Sequence, residues 1–227
     1  MAQGLLELIF MKGVILDVDG TLVDSNDHHA ESWVDAFRAH GYDVGIGRVR
    51  PLIGMGGDRL LFALASVDAD SVEGRAIEAT RRTIFLRDYL PRVRPFPGVR
   101  ELLLRMRDEG LELAVASSSE GELLDALLDR TEASDLIRRR PESDLRGTKP
   151  APDAVLAALE LLDLAPREAA MLADTPYDGE AARAARVPFV GVRSGGWSYP
   201  SMANAIALYD DVSDLLKHFD TSPFASS

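Results

Sequence analysis

The chain has 227 residues, 46% of them hydrophobic, and a formal net charge of −12. That length suits one large domain or a core with a smaller insert, and no apolar run is long enough to span a bilayer. The acidic balance disfavours nucleic acid and anionic membranes as partners. The absence of cysteine removes disulfides, thiolate metal sites and cysteine nucleophiles, and fits a cytoplasmic protein.

Residues 1–10 are apolar but carry no basic n-region and no convincing cleavage site, so no signal peptide is expected. The first element is a strand over 13–18, where Val14-Ile15-Leu16 runs into Asp17-Val18-Asp19-Gly20-Thr21. A buried strand there stops at a sharp turn and leaves two carboxylates at its end, where open parallel sheets collect ligands. Ser25 or Asn26 caps a helix that runs to about Ala39 and closes at Gly41. Trp33 and Phe37 share one face of it. A glycine-rich stretch over 52–57 precedes a helix over 59–65. A long helical segment over 70–90 sets Ile77, Ile84, Phe85 and Tyr89 at helical spacing. Residues 24–92 therefore read as helices with no convincing strand. Arg94-Pro95-Phe96-Pro97-Gly98 breaks the pattern as a hinge or linker. Beyond it the rhythm is helix 99–108, strand 111–116 ending in Ser117-Ser118-Ser119, helix 121–130, a short strand 135–137, helix 152–162, strand 169–173 ending at Asp174, helix 178–186, strands 187–192 and 206–209, and helix 211–219. Such alternation implies a parallel sheet covered on both faces. The expected fold class is α/β. A Rossmann-like parallel sheet forms the core over 1–23 and 93–227, and an α-helical cap domain is inserted over 24–92.

Asp17 and Asp19, Ser117, Lys149, and Asp174 with Asp178 all fall at or just beyond element ends. Clustered carboxylates repel one another unless a cation neutralises them, and hard oxygen ligands without His or Cys select Mg²⁺. Mg²⁺ and Lys149 supply the local positive charge that a phosphate needs in so acidic a protein. The only lysines are Lys12, Lys149 and Lys217, which makes Lys149 stand out. Ser117 and the N–H groups at the following helix start suit phosphate oxygens. Singly, these residues read as a turn serine, a solvated lysine, a helix cap and an Asp-Thr-Pro turn. Their joint order at element boundaries carries the functional reading.

Four segments make the pattern specific: D-V-D-G-T-L-V-D-S over 17–25, A-V-A-S-S over 114–118, K-P-A-P-D over 149–153 and A-D-T-P-Y-D over 173–178. Over about 12–219 the chain resembles the haloacid dehalogenase-like superfamily, in the helical-cap branch of phosphoglycolate phosphatases and β-phosphoglucomutases. The resemblance implies that Asp17 is the nucleophile and forms an aspartyl-phosphate. Asp19 is then the acid that protonates the leaving alcohol and the base that activates water. Asp17, the Asp19 carbonyl and Asp174 hold Mg²⁺, with Asp178 close by as a further ligand or as a group that positions Lys149. Ser117 and Lys149 hold the transferring phosphoryl group, and Thr21 and Ser118 join the substrate-binding set.

Departures from the family patterns narrow the chemistry. Haloacid dehalogenases of this family lack the second aspartate, and Asp19 is present. Phosphonate hydrolases use a cap lysine, and residues 24–92 contain none. His29 and Trp33 match β-phosphoglucomutase positions, but the mutase loop G-x-S-R is here Gly54-Met55-Gly56-Gly57, with Arg59 near. The expected function is Mg²⁺-dependent hydrolysis of a small phosphorylated metabolite. The alternatives are a phosphosugar mutase and a non-catalytic phosphometabolite-binding module. His28, His29, Trp33 and Arg59 are the candidate cap contacts to substrate, although Trp33 also suits core packing and either histidine suits a solvated surface. Neither a nucleic acid nor a membrane partner is expected, and the expected state is a monomer or small homo-oligomer.

Overall fold

The computed structural model describes residues 11–138 and 147–225, so the apolar start over 1–10 lies outside it. In chain order the elements begin with β1 (Gly13–Leu16) and β2 (Val23–Asp24). Four helices follow: α1 (Asn26–Ala39), α2 (Ile46–Val49), α3 (Gly57–Ala65) and α4 (Val72–Ile84). The chain returns through β3 (Arg94–Pro95) to α5 (Val99–Asp108), β4 (Glu112–Val115), α6 (Gly121–Arg130), α7 (Asp153–Leu162), β5 (Ala169–Ala173), α8 (Pro176–Ala184), β6 (Phe189–Val192), β7 (Ala207–Tyr209) and α9 (Val212–Lys217).

The main sheet has the order β4-β1-β5-β6-β7, and every neighbouring pair is parallel. β1 and β5 are buried along their whole length, as inner strands of a doubly covered sheet must be. Successive residues of β1 point to opposite faces. Val14 and Leu16 join one apolar cluster with Leu102, Leu103 and Met106 of α5, Leu127 of α6 and Leu215 of α9. Ile15 joins the other, with Val155 and Ala158 of α7 and Ala181 and Ala182 of α8. The small side chains of α8 let that helix lie close to the sheet.

The helices between β2 and β3 build a third apolar cluster of their own, including Trp33, Phe37, Leu61 and Ile77. The two chain crossings into this insert run side by side, because β2 and β3 pair antiparallel, Val23 with Pro95 and Asp24 with Arg94. A short ribbon thus stands where the sequence suggests only a hinge. The long helical segment is also not uniform. After Ile84 it widens into a π-helical turn, Phe85–Tyr89, and then tightens into a 3₁₀ turn, Leu90–Arg92, and Phe85, Tyr89 and Val93 pack into the core of the sheet.

Two smaller expectations are corrected. The segment expected as a strand over 135–137 contains a 3₁₀ turn, Ser134–Leu136, followed by a single bridge between Arg138 and Ala114. Among the described residues this bridge forms no ladder. Neither Ser25 nor Asn26 caps α1 with its side chain. Both are drawn away to the carboxylates at the end of β1 and β5.

Candidate active site

Register places the site. Leu16 lies opposite Val115 on one side and Leu172 on the other, so the residues just after β1, β4 and β5 emerge together at one sheet edge. The Asp17 N–H still donates to the Leu172 carbonyl at 3.0 Å, and the Ala116 N–H to the Leu16 carbonyl at 2.8 Å. The ladder therefore extends to the threshold of the site and fixes Asp17 on rigid backbone.

Asp17, Asp174 and Asp178 converge there, each offering a carboxylate oxygen within 4.8 Å of the others, all three buried. The Lys149 ammonium, also buried, reaches Asp17 Oδ1 and Asp178 Oδ1 at 2.6 Å each. Asp178 is not the N-cap of α8. Thr175 takes that place and Asp178 stands three residues on, in a reciprocal capping box. The Thr175 hydroxyl donates to Asp178 Oδ2 at 2.6 Å, so the cap of the helix also aims the carboxylate. Asp174 accepts from the Thr21 hydroxyl at 2.9 Å and from Asn26 Nδ2 at 2.8 Å. Gly20 makes this possible. It holds φ +77°, and a side chain there would overlap Asn26 and Asp174.

The charges do not balance within the cluster: three carboxylates face one ammonium. Burial pushes Asp17 well above the ordinary carboxylate range; Lys149 pulls it down, and Asp178, Asp174 and Asp19 push it up again. Burial and the adjacent Asp178 raise Asp174 to about 7. Burial alone would lower Lys149, but Asp17 and Asp178 hold it above its usual value. Asn26 Oδ1, beside Asp174, is a buried acceptor without a donor among the described residues. A site of hard oxygens with surplus negative charge fits a divalent cation of the Mg²⁺ type.

Asp19 lives in a different environment two residues on. It accepts from Ser25 Oγ at 2.5 Å and from Ser119 Oγ at 2.7 Å, and His29 Nε2 lies 2.6 Å away. Burial opposes its charge, but His29 and the two hydroxyls outweigh burial and keep it well below the ordinary carboxylate range. The proton on His29 is assigned by its other neighbour. Arg81 has only donors, and its guanidinium lies 2.9 Å from His29 Nδ1, so Nδ1 accepts and Nε2–H donates to Asp19. Burial favours the same neutral ring by lowering the His29 pKa. His29 stacks on Phe85 at 4.1 Å, and Arg81 lies over Trp33 and Phe85 at 5.3 and 5.8 Å.

Above these groups a cavity of about 620 Å³ opens between sheet edge and insert. Asp17, Asp19, Ser118, His29, Trp33 and Arg81 are part of its lining. The structure thus brings together Asp17, Asp19, Lys149, Asp174, Asp178, Ser118, His29 and Trp33. Trp33 belongs to the core of the insert and also forms part of the cavity wall. Thr21 is fully buried with its hydroxyl on Asp174, so it orients a carboxylate and does not face the cavity. Ser117 is buried with its Oγ accepting from the Ser119 N–H at 3.0 Å. Arg59 is exposed on α3, and neither it nor His28 lines the cavity. Asn26, Ser119 and Arg81 are contributors outside the quoted motifs, and Ser25, which ends the first motif, is expected there only as a helix cap. Arg81 had a signal of a kind, a basic residue at the helical spacing of Ile77 and Phe85 on an otherwise apolar face.

Residues 14–192 match the family model of haloacid dehalogenase-like hydrolases. A phosphoglycolate phosphatase of Rhodospirillum rubrum is 31% identical over 220 residues, spanning 90% of this chain and 89% of its own. The plasmid-borne protein CbbY of Cupriavidus necator is 32% identical over 196 residues, 79% of this chain and 77% of its own. Among solved structures, a hydrolase from Pseudomonas syringae superposes with a TM-score of 0.86 at 27% identity, covering 95% of this chain and all of that one. With the motif carboxylates gathered at the end of β1 and β5 and a family model spanning most of the sheet, the chain belongs to the haloacid dehalogenase-like hydrolase family.

Proposed function

We propose that this enzyme hydrolyses a small phosphorylated metabolite through a covalent phosphoryl group on Asp17. It is a phosphoric monoester hydrolase. The observation that carries the reading is the pair of unlike carboxylates at one strand end. Asp17 sits in an acidic cluster tied to Lys149, while two residues away Asp19 is surrounded by donors. Lys149, and a cation that the cluster would hold, favour the Asp17 carboxylate that attacks phosphorus, and Asp19, ionised among its donors, is free to take up a proton and pass it on.

Asp17 attacks phosphorus and the ester P–O bond breaks; Asp19, ionised at rest, first takes up a proton from solvent and then delivers it to the departing alcohol oxygen. Asp19 then takes a proton from water as that water attacks phosphorus, and the bond from phosphorus to Asp17 breaks to release phosphate. Ser117 and Lys149 hold the transferring group, Ser118 lies beside it in the cavity wall, and His29 keeps Asp19 oriented through its Nε2–H. Asp17, Asp174, Asp178 and the Asp19 carbonyl would hold a magnesium ion, which when bound supplies positive charge to the transferring phosphoryl group. Residues 24–92, with their own apolar cluster, act as a cap that closes over the leaving group, and residues 1–23 and 93–227 form the core.

A panel of phosphate esters assayed with Mg²⁺ tests this. Phosphate release that stops with EDTA and returns with Mg²⁺ is expected, and silence on every ester contradicts it. A phosphosugar mutase is the second reading, because Arg75, Arg81 and Arg82 line the same cavity and offer cations to a second phosphate. With β-glucose 1-phosphate as substrate, free phosphate supports hydrolysis and glucose 6-phosphate supports the mutase.

A further inference from the structure

Gly54-Met55-Gly56-Gly57-Asp58 stands where the resembling mutases carry an arginine, and the chemistry above gives none of these residues a role. In the fold this loop is one of the parts of the insert that meet the loops beside the carboxylate cluster, next to Arg50, which donates to the Gly195 carbonyl, and Pro51, whose carbonyl accepts from the Tyr177 hydroxyl. The Gly56 N–H donates to the Lys149 carbonyl at 3.2 Å. One residue earlier, the Thr148 hydroxyl donates to Asp58 Oδ1 at 2.6 Å. The Ser118 hydroxyl donates to the Gly54 carbonyl at 3.3 Å.

The glycines report how close this approach is. Gly56 holds φ −60° and ψ 144°, a conformation any residue adopts. What requires glycine there is Thr148, whose side chain an added Cβ would overlap. At Gly54 an added Cβ would overlap Thr175, the residue that caps α8 and holds Asp178. The loop therefore presses on both backbone segments that carry the Lys149–Asp178 pair. Lysine is a long, flexible side chain, and its ammonium is only as well placed as the backbone from which it springs.

We propose that this loop is a positioning element: Asp58, acting through Thr148, fixes the Lys149 backbone so that its ammonium bridges Asp17 and Asp178. Seating the insert on the core then completes the phosphoryl-binding site. The glycines that replace the mutase arginine allow a direct backbone seat in place of a long cation. This inference rests on the phosphatase reading of the same site.

The test is steady-state kinetics of Thr148→Val, Asp58→Ala, their double variant, Thr148→Ser and Gly56→Ala, on one aryl and one alkyl phosphate with Mg²⁺. Losing a hydrogen bond to a carboxylate, or a small displacement of Lys149, predicts a fall in kcat of about tenfold or more with little change in KM. The factor should be the same for both esters, because Lys149 acts on the phosphoryl group they share. The double variant should be no worse than either single one, Thr148→Ser should restore turnover, and Gly56→Ala should reproduce the loss. Unchanged kcat, additive losses, or a loss that depends on the leaving group would overturn the proposal, the last by making Asp58 a substrate contact. Should Asp58→Ala fail to fold, the Thr148→Val and Thr148→Ser pair decides alone. Wild-type enzyme inactive on both esters would sink the phosphatase reading and this inference with it. Active wild type with indifferent variants would sink this inference only.

Discussion

Two aspartates two residues apart are driven in opposite directions by what surrounds them. Asp17 shares its space with other carboxylates, and Asp19 shares its space with donors. Asp174 belongs to the first group. Its folded pKa of about 7 stands above the unfolded value of about 3.9. The proton is bound more tightly in the fold, so the stabilisation is fully present below about pH 4 and is lost as pH rises through about 7. The groups that face it are Asp178, Asn26, Thr21 and Lys149, and Asp17 is raised in the same sense. Chelator-treated protein should therefore gain more melting temperature from Mg²⁺ at pH 8 than at pH 5, where protons compete for the same oxygens. Thermal scans with and without Mg²⁺ at both values check this, and an equal gain at the two contradicts it. Arg81 gives a second residue-scale prediction. Arg81→Met removes the donor that fixes the His29 tautomer. It should lower kcat for an alkyl phosphate by roughly tenfold and for an aryl phosphate much less, because only the poor leaving group depends on proton delivery. The motif aspartates and Lys149 were legible because they recur in a fixed order at element boundaries, and because the chain has only three lysines. Ser25 and Arg81 were not, since a serine before a helix and an arginine within one have ordinary readings that only spatial neighbours overturn.

At the scale of elements, most helices and strands were legible from periodicity and punctuation. α5 and α6 fall within the expected limits because glycine or proline marks their approaches and their apolar faces are unambiguous. The misread pieces are short or shared. Three residues over 135–137 carry no alternation that separates a strand from a 3₁₀ turn. β2 and β3 have two residues each, and each exists only because the other pairs with it. α1 begins as expected, with Ser25 at its N-cap position, but the side-chain cap is absent for a chemical reason: Ser25 and Asn26 bond to Asp19 and Asp174, where sequence offers only the local helix terminus as partner. α8 shows the same coupling with the opposite outcome, since Thr175 caps the helix and holds Asp178 together. Thr175→Ala should cost roughly 1 kcal/mol as a lost cap, and should also lower kcat by freeing Asp178. Thr175→Ser should recover both. Denaturant unfolding alongside kinetics separates the two effects; a stability loss with unchanged kcat would show that the cap is structural only.

Across the whole molecule, a rigid parallel sheet presents reactive side chains at one edge, and a helical insert with its own core closes over them. The alternating rhythm made the sheet readable, and the uninterrupted helical stretch after the first motif made the insert readable. How the two meet was not, because part of the contact is made by backbone groups, the Gly56 N–H to the Lys149 carbonyl and the Gly54 carbonyl to Ser118, and the side-chain part, Thr148 to Asp58 and Arg50 to the Gly195 carbonyl, joins residues far apart in the chain. The backbone part leaves only glycines in the sequence. The same arrangement places Trp33 in both the insert core and the cavity wall, which no spacing rule separates. All of it serves one bond, the one expected between phosphorus and Asp17. The most direct test is to quench the working enzyme rapidly in acid and map phosphorylation by mass spectrometry. One phosphoryl group on the peptide containing Asp17 is expected, absent from a folded and inactive Asp17→Asn variant. Full turnover by Asp17→Asn, or a phosphoryl group trapped on another residue, would contradict the account.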